Sequence, residues 1–360
     1  SNITKTGAAT LTLSGGSTRA GTFANNEGTL RIENYGVAGS AIGTGAVTLS
    51  ASTILEIVAE TVTNAVTLNN GCTLRGFNVA GVNPAITGTV TIANPATATL
   101  SAGTADSVLT FNTVSGGANS IVSASSTGRI VLSVANGTFL GSWTLDGGAL
   151  QLSQAASLGT ARPITVNAGV LIHATSTAVL VGNPITLNGG TIACAVGDRT
   201  YSGTITVNNP ATISLDDALT PGTARQITLS GVVAGAGNLS LSSLAGSTKP
   251  LLLSNTGNTY SGTLTVNPNA ILRAQSAGSL GAAGTPATIN LAGGKLELIS
   301  SVDGNFNANL QVTADSTVLV DRPGVGFGRE LKLNALDLVN GTLIVRNVPD
   351  TSQHRLTFDG

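Results

Sequence analysis

Three stretches of this chain repeat one another, and that repetition restricts the fold more than any other feature. Leu30, Leu150 and Leu272 mark the three stretches, spaced by 120 and 122 residues. The first reads GTLRIENYGVAGSAIGTGAVTLS, the second GALQLSQAASLGTARPITVNA and the third AILRAQSAGSLGAAGTPATINLAGG. Further matches lie between them. Thr89–Thr97 (TVTIANPAT) aligns with Thr204–Thr212 (TITVNNPAT), and Ala65–Gly71 aligns with Pro184–Gly190. Asn136–Gly141 (NGTFLG) aligns with Asn258–Gly262 (NTYSG). Self-similarity built from short segments over a long chain belongs to stacked, quasi-one-dimensional folds.

The local pattern has a period of two. Thr10-Leu11-Thr12-Leu13, Thr29-Leu30-Arg31-Ile32, Ala46-Val47-Thr48-Leu49, Thr204-Ile205-Thr206-Val207, Thr263-Leu264-Thr265-Val266 and Lys295-Leu296-Glu297-Leu298 all alternate polar with apolar. Such alternation puts Leu, Ile and Val on one face of a strand and Thr on the other. Threonine, being β-branched, suits an exposed strand face. Asn69-Asn70-Gly71, Asp146-Gly147-Gly148, Asn167-Ala168-Gly169, Asn188-Gly189-Gly190 and Ala292-Gly293-Gly294 punctuate the runs. Glycine and asparagine tolerate the positive φ of tight corners. Val58–Thr67 is the nearest approach to a helical window, and its β-branched content argues against a helix.

Many short strands fit either a string of sandwiches or a parallel β-helix. Sandwich cores normally carry aromatic residues. This chain has one Trp, three Tyr and seven Phe among 360 residues, with 41% hydrophobic residues and 46 glycines. A narrow stack of aliphatic side chains needs few rings. The expected fold is therefore all-β: a single continuous parallel β-helix, or β-solenoid, over residues 1–360, with three approximate large repeats at 1–120, 121–240 and 241–360. At ~4.8 Å per rung, about 16 coils would make a rod on the order of 75 Å long. Leu264→Asp should break its core.

Cys72 and Cys194 are 122 residues apart. Five or six rungs would separate them, far beyond the ~7 Å Cα limit of a disulfide. Two buried, reduced thiols are expected. The sequence has no Met and no signal peptide, as in a mature product or excised segment. Neither end carries an evident polar cap. The expectation is a piece of a longer solenoid or copies stacked head to tail into a filament.

The run Ile3–Gly15 (ITKTGAATLTLSG) resembles the start of the passenger-associated β-strand repeat of bacterial autotransporters, approximately TKxGxGTLTLSG…NTYxGGTTVNAGTLxLG…LGTGxxTLNGGTL. Asn258–Asn267 resembles its middle, and Ser279-Leu280-Gly281 through Gly293-Gly294-Lys295-Leu296 resembles its end. The likeness recurs over about two thirds of the chain. It implies a right-handed β-helix displayed outside the cell. No segment of this sequence resembles the outer-membrane barrel of that family.

Little in the sequence points to chemistry. The two histidines, His173 and His354, lack a second ligand at metal spacing, so no metal and no cofactor are expected. Glycan-cleaving β-helices need clustered carboxylates. The candidates are Glu33 with Glu56 and Glu60, and the Asp216-Asp217 pair, whose members either point to opposite faces of a strand or sit in a turn and so need not converge. Each group is expected to consist of solvated carboxylates on the surface. The glycine-rich stretches lack the Lys-Ser/Thr of a phosphate loop, and calcium-loop spacings do not occur. A net charge of −1 with 9% charged residues provides no basic footprint for nucleic acid. No apolar run approaches the ~20 residues of a membrane-spanning helix. The sequence thus suggests a non-enzymatic, extracellular or cell-surface solenoid: a fibre, stalk or adhesin scaffold. Its partners would be copies of itself, neighbouring repeats, or host or matrix glycans. The alternative is a β-helical polysaccharide lyase, hydrolase or glycan-binding module. No catalytic, cofactor-binding or metal-binding residue is assigned.

Overall fold

A computed structural model describes residues 1–33, 40–174, 180–321, 328–347 and 354–359. The 34–39 part of the first repeated stretch and Gly360 lie outside the described residues. Among the described residues the chain is all-β without a helix, its parallel strands stacked as a β-solenoid of about 14 turns. Its residues fall into two compact units, Ser1–His173 and Ala174–Gly360.

In the first unit, one stack runs through Ile3–Lys5, Phe23–Asn25, Val47–Leu49, Val66–Leu68, Ala85–Ile92, Val108–Gly116, Arg129–Leu132 and Ala149–Leu152. The other runs through Thr10–Ser14, Thr29–Glu33, Ile54–Val58, Thr73–Phe77, Ala96–Ala102, Ser120–Ala124, Ser142–Leu145 and Ile164–Val166. Every pairing is parallel, so like positions stand above one another. Leu30, Leu55, Leu74 and Leu100 form one fully buried row. Burying each such side chain contributes about 1.5–3 kcal/mol. Threonines alternate with them on the outer face, as the period of two requires.

In the second unit, one stack follows Thr191–Ala195, Ala211–Asp217, Leu239–Ser242, Thr263–Val266, Ala287–Ala292, Ala308–Ala314 and Leu336–Leu338. A second follows Arg199–Tyr201, Ile227–Leu229, Leu251–Leu253, Ile271–Ala274, Lys295–Ile299, Ser316–Asp321 and Leu343–Asn347. Shorter stacks join Ile185–Leu187, Ile205–Val207 and Val233–Ala234, and Gly304–Asn305, Glu330–Leu333 and Arg355–Phe358. Leu264 is buried in this core.

The turns are longer, and so fewer, than the 16 coils expected. The chain makes excursions at its corners, closed by antiparallel bridges at Val79 with Val82, Asp216 with Ala224 and Ala282 with Thr285. The sequence window Val58–Thr67 runs from the end of Ile54–Val58 through the short strand Thr61–Val62 into Val66–Leu68, with bends between them instead of a helix. Each of the five punctuating motifs carries a glycine at positive φ. Gly148 and Gly169 show why the corner must also be bare. A Cβ on Gly148 would lie 2.4 Å from the Gly128 carbonyl oxygen, and one on Gly169 would lie 2.4 Å from that of Gly148. Stacked corners leave no room for a side chain there.

Candidate functional site

The suggested carboxylates do not assemble a catalytic pair. Thr29–Glu33, Ile54–Val58 and Thr73–Phe77 place Arg31, Glu56 and Arg75 in register on the outer face of one sheet. Glu56 accepts from Arg31 Nη1 at 3.4 Å and forms an ion pair with Arg75, whose Nε lies 3.0 Å away. Arg31 Nε also donates to Glu33 at 2.8 Å. That bond is the main reason the Arg31 guanidinium holds its proton above its usual value. Both carboxylates are thus occupied by arginines, and opposite charges at rung spacing stabilise the pairing.

Glu60 has other surroundings. The strand Ile54–Val58 ends, Ala59 takes a φ of 49°, and Glu60 turns into a buried position. Its Oε1 accepts from the Ala41 amide at 3.1 Å, while Oε2 is buried without a hydrogen-bond partner. Burial raises its pKa, opposed by hydrogen bonds from Ala41 and Ser40.

The Asp216-Asp217 pair closes an excursion. Alternation along Ala211–Asp217 leaves Asp216 half-buried and turns Asp217 inward. Asp217 accepts from the amides of Leu219, Thr220 and Val196 and from Arg225 Nε, each at 2.9 Å. Burial favours the neutral acid, yet these four donors outweigh it and hold the carboxyl below its ordinary value. Four donors on one carboxylate make it a clamp for the loop.

His173 is buried in Val170–Ala174, beside Leu152 of the preceding rung. His354 Nδ1 accepts from the Arg329 amide at 3.2 Å. Among the described residues no group of three or more His, Cys, Asp or Glu could hold a metal ion. Cys72 and Cys194 are free and buried. The Cys72 thiol donates to the Ser50 carbonyl at 3.0 Å, and burial pushes the Cys194 thiol up to about 12.

Sequence reasoning missed a groove in the second unit. It lies on the outer face of the sheet that contains Ile271–Ala274, Lys295–Ile299, Ser316–Asp321 and Leu343–Asn347, and has a volume of about 740 Å³. Ile271, Lys295 and Thr317 line it from successive rungs, joined by Leu319 and Arg346 in the adjacent row. Lys295 Nζ lies 2.7 Å and Arg273 Nε 2.6 Å from Glu297, whose side chain is almost wholly buried. Lys295 and Arg346 are 51 positions apart in sequence, and only the stacking of rungs brings them to one groove.

Among the described residues, no helix is long and apolar enough to cross a membrane. No protein family, curated protein or solved structure matches this chain.

Proposed function

We propose that this chain is a non-catalytic structural solenoid of a bacterial surface or extracellular fibre, stalk or adhesin, resembling autotransporter passengers. The observation that carries the reading is the row Leu30, Leu55, Leu74 and Leu100, with parallel backbone ladders on every rung. Such ladders resist bending and pulling together, because no rung can separate without breaking several hydrogen bonds at once. The carboxylates Glu56 and Asp217 serve the same end, one joining arginines and the other closing a loop.

Elongation through neighbouring repeats or further copies of the same fold completes the proposal, since like parallel rungs can stack on one another. Immunogold labelling of source cells tests the reading. Label along extracellular fibres or on the cell surface is expected, and label confined to the cell interior would overturn it.

A further inference from the structure

The groove over Ile271, Lys295 and Thr317 is a concave polar surface whose chemistry selects a ligand class. We propose that it binds an anionic oligosaccharide, a uronate-bearing glycan laid across successive rungs, with Arg346 and Lys295 holding its carboxylates. This goes beyond the scaffold reading, which the labelling experiment tests separately.

Charge comes first. Arg273, Lys295 and Arg346 face Glu297 and Asp315, leaving a net charge of +1. Arg273 and Lys295 share the single Glu297 carboxylate. One Asp315 oxygen is already taken by the Thr342 amide at 2.7 Å. Arg346 has no carboxylate partner among the described residues and sits beside Leu319 in register. A planar guanidinium is suited to bidentate capture of a carboxylate.

The lining then separates a glycan from a peptide. This is the face of a sheet, and its backbone groups are consumed by the ladders joining Lys295–Ile299 to both neighbours. An added peptide strand would find no free backbone partners on that face; the edge strand Leu343–Asn347 borders the groove and offers its free backbone groups in the plane of the sheet, not across its face. What the face offers is side-chain hydroxyl and amide groups, among them Ser247, Thr248, Thr317 and Asn269, which suit sugar hydroxyls. Four rungs at ~4.8 Å give a track of about 14 Å, the reach of a short extended saccharide. A volume of about 740 Å³ is within the range of ligand sites.

Titration calorimetry at low ionic strength tests this with tetragalacturonate, neutral cellotetraose and a tetraglutamate peptide as probes. Saturable binding of tetragalacturonate is expected, with no measurable binding of cellotetraose and at least about tenfold weaker binding of the peptide. Arg346→Ala should weaken tetragalacturonate about tenfold or more, and Arg346→Lys less, with unchanged circular dichroism. Lys295→Gln gives a second reading at an independent side chain. Absence of saturable uronate binding, equal binding of the peptide, or unchanged affinity in both Arg346→Ala and Lys295→Gln would overturn the proposal.

Discussion

Asn258 joins three levels of its unit through one side chain, and Ser279 is the far end of the clamp. Its Nδ2 donates to the Ser279 carbonyl at 2.7 Å, while its Oδ1 accepts from the Val233 amide at 2.8 Å. Asn136 repeats the arrangement in the other unit: Nδ2 donates to the Ser157 carbonyl at 2.5 Å and Oδ1 accepts from the Val114 amide at 2.8 Å. Both asparagines are buried, and each is followed by an aromatic residue, Phe139 or Tyr260, packed in the core. Removing the amide leaves a buried N–H and a buried carbonyl unsatisfied, at about 1–3 kcal/mol each. Asn258→Ala should therefore lower unfolding stability by about 2–5 kcal/mol, read from the urea midpoint. Asn136→Ala should do the same. Asn209, exposed in the same unit, is the control.

The core face can be tested by contrast. Leu74→Ala removes one member of the buried row and should destabilise by about 2–5 kcal/mol. Thr99→Ala, on the outer face of the next rung, should change stability by less than about 0.5 kcal/mol. Leu264→Asp places a charge in the second unit's core and should abolish its cooperative unfolding. An unaltered melting curve for Leu264→Asp would refute the facing assigned here.

Asp217 and Glu60 should give opposite responses to pH. For Asp217, burial is outweighed by its four donors and the folded pKa is lowered. The unfolded chain then binds its proton more tightly, so the stabilisation is complete above the unfolded value of about 3.9 and is lost as pH falls through the folded one. Asp217→Asn should be less stable than the parent at neutral pH and converge with it in acid. For Glu60, burial raises the folded pKa. Its contribution is greatest below the unfolded value of about 4.3 and is lost as pH rises through the folded one. Glu60→Gln should therefore gain on the parent as pH rises across that window. Urea midpoints collected from acid to neutral pH check both signs, and parallel pH curves for a variant and its parent would contradict the corresponding assignment.

The thiols should be silent in the folded protein. Reaction requires a thiolate, and Cys194, buried and pushed up to about 12, has almost none at neutral pH. Cys72 is buried and donates to a carbonyl. A chromogenic disulfide reagent should titrate neither thiol under native conditions and both in denaturant, with intact mass showing no cross-link.

The strand pattern and corners were legible because they depend on neighbours in sequence. Thr263-Leu264-Thr265-Val266 states its two faces outright, and Asn167-Ala168-Gly169 states its corner. The likeness of Asn136–Gly141 to Asn258–Gly262 was also visible, although its cause, the shared clamp, was not. Side-chain partners were hidden because they lie one rung away. Leu30, Leu55, Leu74 and Leu100 are separated by 25, 19 and 26 residues. With corners of such varied length, sequence spacing does not reveal that Arg31 and Arg75 flank Glu56. The same variation concealed the meeting of Lys295 with Arg346. Glu60 groups with Glu56 in sequence because they are four residues apart, but the left-handed turn at Ala59 separates their surroundings.

The central claim is a stack of parallel rungs acting as a stiff structural element. X-ray diffraction from aligned native material, purified from its source, addresses it most directly. The account predicts a sharp reflection near 4.8 Å along the long axis of the particles, the spacing of paired strands, from fibres or rods of uniform width. Compact particles that do not align, or a 4.8 Å spacing running across the long axis, would contradict it.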